Sequence, residues 1–289
     1  MDIKNPTTYQ QQIEILRNHG CTISDEGTTV DFLERVGFYR FSGYFSVFKG
    51  DHGRFHENVT FEKMASVYAF DQELRSLVIR AVSEIEIAAK STIAYYHGHK
   101  YGTNAYLDIQ YFGDKRDQVK FNRQLESAVR NNSNSPIVKH HMKKYQGSFP
   151  LWVVMELFTM GMVSLFYADL QTPDKKVIAS KYKTDYTHLQ SWLHGATVLR
   201  NISAHYGRLY PTNFHQFPKL PRKYGKNNDI PTHSLGRQLC MLKLLHVNCK
   251  DDWNHSFVLP SAALIEKYDD IVDIKKMGLP HDWEKVLTW

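Results

Sequence analysis

Apolar residues recur three or four positions apart along much of this chain, and that spacing sorts it into amphipathic helices. The clearest run spans Asp71 to His97, where Leu74, Leu77, Val78, Ala81, Val82, Ile85, Ala88 and Ala89 share one side. Ahead of it, Thr60 is placed to cap a shorter helix through Tyr68. Pro6, then Thr7 to Arg17, then Gly20 predict a first helix, and a second begins near Ser24 or Asp25. Between Val30 and Phe48 the aromatics are dense, and Gly37 and Gly43 predict breaks between short helices.

Residues 98–148 are more broken. Gly98, Gly102, Gly113 and the run Asn131 to Pro136 mark a loop between two helical pieces, of which Phe121 to Val129 is the firm element. Ser148 with Pro150 opens an apolar helix through Phe158 that Gly161 interrupts, and Thr172-Pro173 opens another ending near Tyr182. Asp185 or Thr184 then caps a helix over roughly Tyr186 to Tyr206, with Gly207 as its stop. After a proline-rich connection at 211–231, Ser234 to Val247 and Ser261 to Asp273 read as two final helices. No internal repeat, low-complexity tract or alternating strand pattern interrupts this reading, so the expected fold is all-α.

The helix before Gly207 has the most unusual polar face. On an ideal helix Arg200, Asn201, Ala204, His205 and Arg208 fall within an arc of roughly 140°. Leu189, Trp192, Ala196, Leu199 and Ile202 point the other way, which leaves the polar arc free to face a cleft or partner.

Composition narrows the setting. A chain of 289 residues is long enough to bury a substantial core. The three cysteines, Cys21, Cys240 and Cys249, are odd in number and form no C-x-x-C pair, so they read as buried small hydrophobes in a reducing compartment. No apolar run reaches the length of a membrane span, and Met1 to Pro6 lack a secretion signal, which predicts a cytoplasmic protein without membrane contact. The formal net charge of +6 favours a polyanionic partner without demanding one.

An arginine and a histidine on one face suit metal-free RNA cleavage. That reaction needs a 2′-hydroxyl to lose a proton as it attacks the adjacent phosphorus, a proton for the 5′-oxygen that leaves, and stabilisation of the charge on the phosphoryl oxygens. Histidine serves either proton transfer near neutral pH, whereas arginine offers a charged fork to the phosphate. His205 is therefore the candidate general acid or base, and Arg200 the phosphate clamp. Asn201, one turn before His205, either holds the imidazole or donates to the phosphate, or is a solvent-exposed helix asparagine. Arg208 and Tyr210 are candidate RNA contacts. The looser pair Arg208 and His215 spans Pro211 and cannot lie on one helix.

These residues belong to a wider resemblance. Arg200-Asn201-x-x-x-His205 resembles the R-N-x-x-x-H hallmark of Abi-like (abortive infection) proteins in the HEPN superfamily. Gly37 to Tyr44 (GFYRFSGY), Phe70-Asp71-x-x-Leu74-Arg75 and Ile85-Glu86 resemble other elements of that family. So do Phe149-Pro150-x-Trp152, Glu156-x-x-Thr159-x-Gly161 and Met277-Gly278-Leu279-Pro280-x-x-Trp283. The resemblance implies a HEPN-type helical bundle with an N-terminal helical extension and additional C-terminal helices. Its expected divisions are 1–59, a core at 60–210 carrying the motif, and 211–289 packed on that core. It further implies a cytoplasmic endoribonuclease of antiphage defence or a toxin-like effector, with a composite site across a homodimer. Gly195 and Ala196 suit a close helix approach, from a second copy or within the chain. The alternative reading is a non-cleaving RNA-binding module that holds a cognate noncoding RNA, and a third is a helical partner protein whose motif helix is only an interface.

Other polar features carry two readings each. By the resemblance, Glu86 supports Arg200 or His205; by spacing, it pairs with Lys90 four residues on. Lys143 and Lys144, in a basic stretch from Lys139, either follow an RNA backbone or form a solvated face. Tyr39, Arg40, Phe41 and Tyr44 suit base stacking, though their spacing favours core packing. His97, His99, His140 and His141 lack a ligand set, so no metal site and no cofactor are expected. Glycine-rich phosphate loops and G-x-S-x-G elbows are missing from the sequence.

Overall fold

The computed structural model describes residues 5–222, 224 and 230–289, and among them it is all-helical, with only isolated β-bridges. Helix α1 (Tyr9–Asn18) opens on a capping box between Thr8 and Gln11. Asp25 caps α2 (Glu26–Val36), and Gly37, at φ 81°, turns the chain into the short α3 (Phe38–Ser42). This N-terminal region closes on an aromatic cluster in which Phe32, Phe41 and Phe61 meet edge to face.

Thr60 does cap a helix, but that helix does not stop at Tyr68. It continues as α4 (Phe61–Tyr101), 41 residues and roughly 60 Å long. Nothing between Tyr68 and Asp71 breaks a helix, and Gly98 is absorbed in α4 with its open side 3.7 Å from the Trp152 ring. Met64, Val67, Leu74, Val78, Val82, Ile85, Ala89 and Ile93 of α4 are buried, so this rod is the spine of the core.

The stretch after α4 holds the two helical pieces expected on either side of the Asn131 to Pro136 loop. Asp117 caps α5 (Gln118–Asn131), and Ser135 with Pro136 starts α6 (Pro136–Tyr145) at the end of that run. Then come α7 (Leu151–Leu157), α8 (Met160–Asp169) and α9 (Thr172–Lys181). The break between α7 and α8 falls at Phe158, because Thr159 caps α8. Gly161 lies within its first turn, where a Cβ would stand 3.4 Å from Thr197.

Asp185 accepts from the backbone of Thr187 and His188 and caps α10 (Tyr186–Ala204). This helix sits centrally, packed against α4, α8, α9 and α11 (Leu235–His246). Gly195 has an internal explanation: a Cβ there would lie 2.5 Å from the Met241 sulfur of α11. A π-helical stretch (Asn254–Val258), α12 (Leu259–Lys267) and α13 (Trp283–Leu287) complete the C-terminal part, so the last predicted helix starts earlier and ends sooner than its sequence pattern suggests. Cys21 and Cys240 are buried and Cys249 half-buried, all as free thiols. No helix among the described residues is long and apolar enough to cross a membrane.

Candidate functional site

The polar face of α10 ends where the helix ends. Arg200 is half-buried, Asn201 and His205 are exposed, and an Arg200 guanidinium nitrogen stands 3.4 Å from the Asn201 side-chain oxygen. His205 is the C-cap, at φ −99° and ψ 21°, with its backbone N–H donating to Asn201 O. Its imidazole therefore leaves the last turn at the surface, outside the apolar interior that Leu199 and Ser203 enter.

The termination itself is unusual. Tyr206 donates to Ser203 O and Gly207 donates to Ile202 O, the paired bonds of a Schellman motif. The left-handed position of that motif is normally glycine, yet here it is Tyr206, at φ 58°. Gly207 is needed one residue later, where a Cβ would sit 3.0 Å from the Ile202 side chain and 3.1 Å from its carbonyl. A bulky side chain with positive φ is strained, and such strain persists only where surroundings hold it. Arg40 supplies one hold, donating to Tyr206 O at 2.8 Å with its guanidinium 6.0 Å from the Tyr206 ring centre.

A buried carboxylate supplies the other. Asp71 of α4 is inaccessible to solvent, and one of its oxygens accepts the backbone N–H groups of Leu209 and Tyr210 at 2.9 and 2.8 Å. The other oxygen accepts Tyr44 Oη at 2.7 Å and the Arg75 guanidinium. Burial pushes the Asp71 carboxyl up, while Tyr44, Arg75 and the two amides pull it back toward the charged form. One buried residue thus fixes the path of the chain just past the motif, and the aromatic segment, the start of α4 and the motif meet at that point.

Arg208 lies on the same side. Its guanidinium rests on Gly43, where a Cβ would come within 2.9 Å, and is 5.8 Å from the Tyr44 ring centre. Among the described residues no carboxylate pairs with Arg40, Arg200 or Arg208. This corner is a concentration of uncompensated positive charge.

Four sequence-predicted residues stand apart from it. Tyr210 is fully buried, edge-on to Phe70, and its hydroxyl accepts from Asp273 N–H at 3.1 Å, so it anchors the fold and does not reach an RNA. Lys143 and Lys144 are exposed on α6, which packs by way of Phe149 and Tyr106 beyond the far end of α4. The distance from Asp71 to that end is roughly 45 Å along the helix. Glu86 is engaged by Lys90 at 2.8 Å on its own helix, the spacing-based reading, not by Arg200 or His205.

The aromatic segment divides. Phe41 and Tyr44 are buried as expected of core, but Tyr39 is 93% exposed and Arg40 is exposed as well. Arg40, Tyr44, Asp71 and Arg75 are the residues that sequence reading did not assign to the site. Their signal was the order of polar residues inside otherwise apolar segments. No group of three or more potential ligands for a metal ion occurs among the described residues.

A family model described as Abi-like protein matches residues 31–211, which takes in α3, α4, Asp71 and the whole motif helix. No curated protein and no solved structure matches the chain.

Proposed function

The chain belongs to the Abi-like protein family, and from that premise we propose that it is a metal-independent endoribonuclease serving abortive-infection defence. The observation that carries this reading is the end of α10. There an exposed imidazole at 205 and a half-buried guanidinium at 200 flank Asn201, and among the described residues neither forms an ion pair with a carboxylate. His205 either takes the proton of the 2′-hydroxyl or gives one to the leaving 5′-oxygen, Arg200 holds the phosphoryl oxygens as charge builds, and Asn201 orients Arg200.

One histidine gives half of an acid/base pair, so the reading includes a homodimer in which a second copy of the α10 end completes the cleft. A strict monomer in sedimentation that nonetheless cuts RNA overturns that part. The reading as a whole is tested by incubating wild type and His205→Ala with mixed RNA in the presence of chelator, followed by end-group determination. Wild type is expected to leave cyclic 2′,3′-phosphate ends, and the variant to be about 10²- to 10⁴-fold slower. Equal cleavage rates sink the proposal. Tight RNA binding with no cutting by wild type favours the module that holds a noncoding RNA.

A further inference from the structure

The polar corner at the end of α10 contains more than cleavage chemistry uses. Tyr39 and Tyr206 stand 93% and 67% exposed, and the guanidinium of Arg40 joins the two segments through the Tyr206 carbonyl. Arg208 lies just past the end of α10, against Gly43. The two rings lie exposed on segments that Arg40 ties together, and strain at Tyr206 adds a second reason to look for a use.

We infer that Tyr39, Arg40, Tyr206 and Arg208 form a nucleotide subsite beside the scissile position, which takes an unpaired nucleotide of a single-stranded RNA. The inference rests on the nuclease reading for the position of the scissile phosphate. The two arginines pair with no carboxylate among the described residues and hold the backbone phosphate, and the two tyrosine rings offer faces on which an unstacked base lies. A duplex cannot use such rings, because its bases are already stacked and paired. The left-handed backbone at residue 206 does two things at once: it turns the tyrosine ring outward past the helix end, and it aims the carbonyl at Arg40. Gly43 leaves room for the Arg208 guanidinium to lie flat against α3.

The test measures binding of a short fluorescent single-stranded RNA carrying 2′-O-methyl riboses, which cannot be cut, and of the same sequence as a duplex. Arg40→Ala is expected to weaken single-strand binding about tenfold and to lower the salt slope by about one. Tyr39→Ala and Tyr206→Gly are expected to weaken it about tenfold with the salt slope intact, and to leave duplex binding unchanged. Because glycine relieves the strain, Tyr206→Gly should melt no lower than wild type, a readout that a merely structural tyrosine would not give. Variants that bind the single strand as wild type does overturn the subsite, as does wild type that fails to bind the probe. His205→Ala, run alongside, separates the two readings: a dead His205→Ala with fully binding Tyr39→Ala and Tyr206→Gly removes only the subsite. A cleaving His205→Ala removes the nuclease and, with it, the position assigned to the subsite.

Discussion

Helix α4 carries a buried aspartate contact near each end, and the two are built differently. Near its start, Asp71 grips two backbone amides from the segment after the motif, together with Tyr44 and the almost completely buried Arg75. Near its finish, the inaccessible Asp174 of α9 takes only side chains of α4: the hydroxyls of Tyr96 and Tyr101, and Lys100, which keeps 41% of its side chain in solvent. The first arrangement dictates where a stretch of main chain runs; the second clips one helix to another. A carboxylate that binds main chain controls geometry, whereas one that binds flexible side-chain ends contributes mainly attachment.

The same substitution at both places exposes the contrast. Asp71→Asn preserves shape but leaves Arg75 buried without its counter-charge, and should cost about 3–5 kcal/mol in urea unfolding while RNA cleavage collapses. A loss under 1 kcal/mol there would erase the distinction. His97 sharpens the picture at the far end. It is fully buried between Phe112 and Phe166, neither ring nitrogen has a partner, and burial lowers its pKa to about 4.

The folded pKa of His97 lies below the unfolded value, so the unfolded chain binds the extra proton first. Stability is full above pH ~6.5 and declines as pH falls toward 4, by about 2 kcal/mol at pH 5 from this group. His97→Phe should remove that part of the acid sensitivity; unfolding midpoints at pH 7.5 and 5 that fall as steeply in the variant as in wild type would refute the assignment. The smallest effect belongs to Asp174→Asn. Its cationic partner is already half in water, so about 1 kcal/mol is expected, with RNA cleavage unchanged. Cleavage lost in step with stability would mean that the two ends of α4 are not separable.

Much of the helix plan was legible because capping chemistry is local. Thr60, Asp185 and Ser234 stand where their sequence neighbourhoods place them, each accepting a backbone N–H. A helical piece after the Asn131 to Pro136 loop was legible, but the bounds of α6 were not, because the lysines and histidines that follow Ser135-Pro136 show little apolar periodicity. At the candidate site Arg200, Asn201 and His205 could be found from their spacing on α10. Arg40 could not, since an arginine among aromatics reads as packing until the chain 166 residues later comes beside it. Asp71 presents the same difficulty: a carboxylate near the start of a helix resembles a surface residue, and only tertiary contact reveals that it is buried. Tyr210 fails in the opposite sense, because proximity in sequence to polar residues says nothing of a ring that turns inward under Phe70.

The hydrogen bond from Asp273 N–H to the Tyr210 hydroxyl has a bearing on synthesis. Tyr210 is tied at its amide to Asp71 and at its ring to residue 273, so the motif's exit is braced by parts of the chain made before the motif and parts made after it. A ribosome must translate past Asp273 before that brace can close. Shortened products that end sooner carry Arg200 and His205 without that brace.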